Sequence, residues 1–185
     1  MKITLDSRNV LYPMLTTLVG ATVNGRPNFL AIAHVGIMDF HTVSVSINRT
    51  HHTTPGIKEN KTFSVNIPSA DMVRETDYCG LVSGREVNKA ELFTVFYGSL
   101  KTAPMIEECP INMECRLART VEFPKHDVFM GEIVATYCSE ECLTEGALNI
   151  SKLQPLLFTM SDKGYWKLGE RLATAWSAGK KLIRK

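Results

Sequence analysis

The segment best suited to chemistry is Ser46-Ile47-Asn48-Arg49-Thr50-His51-His52-Thr53-Thr54-Pro55. It leaves an alternating stretch that reads as a strand and enters a Thr-Pro pair that marks a helix start. Free N–H groups at the helix N-terminus, the positive end of its dipole, three threonine hydroxyls and the Arg49 guanidinium would converge there. Such a set holds an anion, and a phosphate above all. The same residues also describe a polar loop that only caps a helix, and the segment alone leaves both readings open.

Two further polar residues stand at element ends. Asn28, beside Pro27, begins a strand that ends near His34 and Gly36. Its amide can face a ligand at a sheet edge or simply stabilise a turn. His126, within Phe123-Pro124-Lys125-His126-Asp127, leads into the strand carrying Gly131-Glu132. It suits an acid, a hydrogen-bond donor or a gate over a ligand, and equally a surface histidine in a turn.

Other chemistries lack their motifs. There is no P-loop, no G-x-G-x-x-G after a strand, no H-E-x-x-H and no G-x-S-x-G. The cysteine spacings Cys109-x5-Cys115 and Cys138-x3-Cys142 lack the paired C-x-x-C of a zinc ribbon, so no metal site is expected. Five cysteines are an odd count. With Asp6, Ser7 and Arg8 where an export signal needs an apolar run, they point to reduced thiols and a cytoplasmic location. A net charge of +2 argues against a nucleic-acid binder with a broad basic surface. The longest apolar stretch, Phe29 to Met38, falls far short of the roughly 20 residues that cross a bilayer.

The elements that must position these residues are mostly strands. Val43, Val45 and Ile47 alternate with Thr42, Ser44 and Ser46; Phe63, Val65 and Ile67 alternate with Ser64 and Asn66. Ile111, Met113, Cys115 and Leu117 do the same with Asn112, Glu114, Arg116 and Ala118. Each predicts a half-buried strand with its polar face to solvent. Leu15 to Val23, Phe29 to Met38 and Asp127 to Cys138 read as strands too, the first and last buried more fully. Asn24-Gly25 turns the first into the second. Leu156 to Met160 and Gly164 to Lys167 form a last pair. Short helices are expected from Thr54-Pro55 to Asn60, from Ala70 to Cys79 behind a Ser69 cap, and from Glu86 to Phe93. Many strands and few helices in 185 residues predict one mainly β domain. The expected architecture is a closed or split antiparallel barrel with a few peripheral α-helices. Residues from about 166 to 185 make a basic tail, expected to pack over the barrel or a partner subunit.

In order and spacing these segments resemble the flavin reductase-like family of FMN-binding split barrels, most closely its flavoredoxin branch. The resemblance rests on Leu11-Tyr12-Pro13, Asn24-Gly25-Arg26-Pro27-Asn28, the phosphate-like run and Phe63-Ser64-Val65-Asn66-Ile67-Pro68. Tyr78-Cys79-Gly80 with Val82-Ser83-Gly84-Arg85, then Glu108-Cys109-Pro110, and His126 with Phe129-Met130-Gly131-Glu132-Ile133 complete it. Two positions depart: the family's D-K-F is Asn88-Lys89-Ala90, and His34 stands where relatives often carry an aromatic.

The resemblance implies a homodimeric Greek-key split barrel with FMN near the dimer interface. Asn28, Ala33, His34 and Val35 would line the isoalloxazine ring. Ser46, Ile47, Asn48, Arg49, His52 and Thr53 would hold the ribityl chain and phosphate, with Lys89 adding charge. His126 would face the ring where a nicotinamide can stack. The implied function is an FMN-dependent oxidoreductase with NAD(P)H as hydride donor; the alternative is a flavoredoxin-type carrier passing electrons between redox protein partners.

Overall fold

The computed structural model describes residues 1–183; Arg184, Lys185 and the side chain of Lys181 lie outside the described residues. In chain order the strands are β1 Met14–Leu15, β2 Thr17–Val23, β3 Arg26–Ile32, β4 Val35–Asp39, β5 Thr42–Asn48, β6 Thr62–Ile67 and β7 Val95–Phe96. They continue as β8 Met105–Ile106, β9 Ile111–Glu122, β10 His126–Cys138, β11 Leu143–Thr144, β12 Ala147–Leu148, β13 Leu157–Thr159 and β14 Gly164–Trp166. The helices are α1 Thr53–Asn60, α2 Val73–Leu81 and α3 Ile150–Leu153.

Seven strands form one sheet in the order β3-β2-β6-β9-β10-β5-β4, every neighbouring pair antiparallel. Its two outermost strands, β3 and β4, are joined by Ala33 and His34 alone. So short a link forces the sheet to curl until its edges meet. Those edges do not pair with each other, which leaves a split barrel. The single strand expected from Phe29 to Met38 is therefore two. An unbroken apolar run carries no sign of where the chain steps from one sheet edge to the other. Only the burial tells: Phe29, Leu30 and Ile32 are buried, whereas Ile37 and Phe40 are 84% and 98% exposed. Ser46 N donates to His34 O at 2.9 Å and fastens the corner. The Asn24-Gly25 turn is as expected, with φ of +50° and +75°.

Alternate residues fill the barrel: Val19, Ala21, Leu30, Ile32, Val45, Ile47, Ile57, Phe63, Val65, Cys115 and Phe129 form one buried cluster. Each such large side chain contributes about 1.5–3 kcal/mol on burial. The other face of β2 and β3 is covered as well, with Leu18 and Phe29 packed against Cys79, Ala90, Ile106 and Cys109. Strand β10 differs from its expectation, because its second half is mostly exposed.

The polar face of β6, and that of β9 at Asn112 and Glu114, is buried rather than turned to solvent, while Arg116 and Ala118 are exposed as expected. Ser64, Asn66, Asn112 and Glu114 lie beneath the segment from Ser99 to Ile106. Ser64 Oγ donates to Pro104 O, Ile106 N to Asn66 Oδ1, and Asn112 Nδ2 to Ile106 O at 2.7 Å. Glu114 accepts from Leu100 N at 2.6 Å and from Ser99 N and Oγ. Every one of these buried polar groups is thereby partnered.

Helix boundaries also shift. His52, not Thr54, stands at the N-cap of α1; Pro55 falls in the first turn, where its missing N–H costs nothing. The Ser69 segment opens as a 3-10 turn, Ala70–Met72, without a side-chain cap, and α2 runs on through Gly80. Glu86 to Phe93 yields only the 3-10 turn Lys89–Leu92. Nor does the tail fold back over this chain's barrel: Leu172 and Trp176 are 97% and 96% exposed. Among the described residues no helix is long and apolar enough to cross a membrane.

Candidate functional site

The barrel fixes the N-terminus of α1. Ile57 is wholly buried in the barrel core, Asn60 Nδ2 donates to Thr22 O at 2.8 Å, and Thr54 Oγ1 donates to Asn48 O at 3.0 Å. No side chain caps the helix start, so the positive end of its dipole stays available at the barrel mouth. From β3, Asn28 Nδ2 donates to Thr53 Oγ1 at 2.8 Å, and both residues are buried. Gly84 approaches from the far side. A Cβ there would overlap Asn28 Oδ1 and come within 2.8 Å of His52 Cδ2, so the backbone closes this tightly only on glycine.

Two cations complete the wall. Lys89 is 2% exposed, and its Nζ donates to Cys79 O at 2.9 Å and Val82 O at 3.3 Å, carbonyls at the C-terminal end of α2. Burial lowers its pKa, while the neighbouring Cys79 pulls it up. The Cys79 thiol is pushed up to about 11, chiefly by burial. Arg85 Nη1 spans the mouth to Thr50 O at 3.0 Å.

These groups enclose a cavity of about 320 Å³, with His51, His52, Thr53, Ser83, Arg85 and Lys89 in its walls. No Asp or Glu lines it among the described residues. Burial lowers the pKa of His51, and Lys89, His126 and Arg85 lower it further; burial, Arg85 and Lys89 do the same for His52. His51 Nδ1 is buried without a partner. An uncapped helix end, two cations, hydroxyls and an unpaired ring nitrogen, with no acid to compete, suit a phosphoryl group.

Of the residues singled out by sequence, Asn28, His52, Thr53 and Lys89 come together around this helix end and its flanking cleft. Ala33, His34, Val35, Ser46, Asn48 and His126 are outside its walls and form a shelf at the barrel corner. Val35 pairs with Val45, Ser46 with Val128, and Asn48 with His126. The rings of His34 and His126 lie edge to face, 6.4 Å between centroids. The Ile47 side chain is fully buried in the core, leaving only its main chain for a ligand. Asn48 Oδ1 is spent on Thr50 N and Oγ1.

Arg49 is engaged elsewhere. Its Nε donates to Asp127 Oδ1 at 2.8 Å and its Nη2 reaches Glu122 at 3.2 Å, while Lys58 Nζ sits 2.7 Å from Asp127 Oδ2. Burial raises the Asp127 pKa, but Lys58 and Arg49 outweigh it and hold the carboxyl below its ordinary value. Sequence reasoning missed Arg85 and His51. For Arg85 the available signal was Gly84 five residues before Lys89, a tight turn next to a cation.

Residues 9–167 match the family described as "Flavin reductase like domain". Flavoredoxin from Methanosarcina acetivorans is 47% identical and superposes with a TM-score of 0.96 over 99% of this chain and 100% of that one. Flavoredoxin of Desulfovibrio vulgaris (Miyazaki F) is 35% identical with a TM-score of 0.91, covering 97% and 100%. A protein of Bradyrhizobium diazoefficiens named "FMN reductase (NADH) RutF" is 30% identical over 127 residues, 63% of this chain and 69% of that protein. With a match over most of its length and a split barrel shared with these structures, the chain belongs to the flavin reductase-like family.

Proposed function

We propose that this chain binds FMN as one domain and works in the cytoplasm as an oxidoreductase with NAD(P)H as hydride donor. The observation that carries the reading is the acid-free cavity between Lys89, Arg85 and the uncapped start of α1. Bound FMN supplies a ring that accepts a hydride and hands electrons on. Thr53, His52, Lys89 and Arg85 hold its phosphate, and Asn28 orients the Thr53 hydroxyl. Ser46 and Asn48 lie along the ribityl path, and Ala33, His34 and Val35 support the ring. His126 bounds the open side and holds a nicotinamide against it, so that proximity rather than a nucleophile supplies the rate. The exposed edge strand β4 with Ile37, the turn after it with Phe40, and the extended tail with Leu172 and Trp176 suit a second copy of the chain, and the working form is a homodimer.

A second reading, a flavoredoxin-type carrier serving redox protein partners, draws on the names of the two similar structures. One experiment tests both. The protein is loaded with FMN, desalted, and mixed anaerobically with NADH or NADPH while the visible flavin bands are followed. Retained bands that bleach support the reductase, and retained bands that neither nucleotide bleaches support the carrier. Loss of all bands on desalting, with no affinity for FMN in titration, overturns the flavin reading.

A further inference from the structure

The pair Cys138-x3-Cys142 lies at the opposite end of β10 from His126 and takes no part in the flavin reading. Cys138 is the last residue of β10 and is exposed; Cys142 closes the 3-10 turn Glu140–Cys142 and is 3% exposed. Two separate observations bring them together. Cys138 Sγ donates to Ser139 O at 3.4 Å, and Cys142 N donates to the same oxygen at 3.0 Å. Cys138 also stands directly across the ladder from Ile111, so the two side chains share one face of the sheet. Ile111 belongs to the small cluster that buries Cys142 with Ile67 and Leu153. The turn is fastened on both sides: Ser139 N donates to Pro110 O at 2.9 Å, and Asn149 N to Cys142 O at 2.8 Å.

The two thiols differ as an attacking and a resolving thiol must. Exchange begins with a sulfur that reaches solvent, and of the five cysteines only Cys138 does. Burial first, then Cys138 and Glu141, raise the pKa of Cys142, with Lys152 opposing them. Glu140 and Glu141 are exposed in the intervening turn, and Lys152 Nζ is engaged by Leu143 O at 2.5 Å. This negative rim favours a cationic reactant over an anionic one. We propose that Cys138 and Cys142 form a dithiol site that reduces small cationic disulfides. The Cys138 thiolate attacks one sulfur of the disulfide and expels the other half, which takes up the Cys138 proton. Cys142 then attacks Cys138 Sγ in the mixed disulfide, and the second half leaves with the Cys142 proton. The small disulfide gains two electrons and departs as two thiols, and the protein keeps a Cys138–Cys142 disulfide.

The test mixes the reduced full-length protein with cystamine and follows intact mass, then maps peptides after digestion without reductant. The expected product is lighter by two hydrogens and carries a Cys138–Cys142 link, while Cys79, Cys109 and Cys115, at most 1% exposed, stay free. Cys142→Ala should stop at one cysteamine on Cys138, and Cys138→Ala should not react. Glutathione disulfide, which is anionic, should react about tenfold more slowly at low salt. A wild-type protein that keeps the adduct without closing, links other cysteines or does not react overturns the proposal. Equal rates for the two disulfides overturn the assignment to cationic ones. The wild-type peptide map decides the question even where a variant fails to fold.

Discussion

Arg49 Nε lies 2.8 Å from Asp127 Oδ1, a carboxylate with no solvent exposure at the start of β10. Lys58 of α1 closes on the other oxygen at 2.7 Å. The ion cluster ties the end of β5, the start of β10 and the first helix together at the barrel mouth. Arg49 and Lys58 remain about 40% exposed, and Lys58 still pairs the buried Asp127 carboxylate when Arg49 is replaced. Arg49→Gln is expected to cost about 0.5–1.5 kcal/mol, read from the urea midpoint. It should leave the ratio of FMN to riboflavin affinity unchanged. A tenfold drop in that ratio would return Arg49 to the phosphate site.

The cations that do line the phosphate-sized cavity behave differently. Replacing Arg85 with Gln, or Lys89 with Met, removes a charged donor worth about 1.5–3 kcal/mol. FMN affinity should fall about 10- to 100-fold in each, while riboflavin, which lacks the phosphate, binds as before. Equal losses for both ligands would mean that the substitution had damaged the pocket rather than removed a phosphate contact.

His126 stands beside His34 on the open side of the shelf. His126→Ala should slow bleaching of bound flavin by the nicotinamide about tenfold or more, without releasing the flavin. Unaltered single-turnover reduction would remove His126 from the reaction.

His51 and His52 give the ligand-free protein a specific pH response. Both have pKa values below the ordinary histidine value of 6.5, through burial first and neighbouring cations second. Between 6.5 and the lowered values the unfolded chain therefore binds more protons than the folded one. Stability is flat above that window and falls as the pH drops through it. Asp127 acts lower: its pKa is depressed from 3.8, so its contribution is lost only as the pH falls through the carboxylate range. Urea midpoints at about pH 7, 6 and 5 should decline in the wild type and stay nearly level with His51→Gln and His52→Gln combined. An undiminished decline in the double variant would place the titrating groups elsewhere.

Local signals in the sequence were read well where a residue's own neighbours decide its conformation. Asn24 and Gly25 need positive φ and mark their turn, and Val43 to Ile47 alternate because one side of their strand faces the core. What local pattern could not reveal depends on residues far along the chain. Glu114 looks like a solvent-facing strand residue, yet Ser99 and Leu100 cover it and satisfy its oxygens. Arg49 looks free to take a phosphate until Asp127, 78 residues on, is seen to claim it. Arg85 gains its place only because Gly84 lets its turn press against Asn28 and His52. The break at Ala33 and His34 is likewise a property of the closed sheet, not of the residues spanning it.

That two-residue corner has a consequence for how the molecule comes into being. It sets the barrel's two edges side by side in sequence, while the sheet between them is completed by pairings of high contact order. Asn48 meets His126 across such a pairing. Contacts of that kind form only after a large loop has been ordered, which slows folding. Until β5 joins β10, the barrel's inner face is open and a strand edge is free to pair with another chain. The step that brings His126 opposite Asn48 is thus also the step that closes the inner face of the nascent barrel.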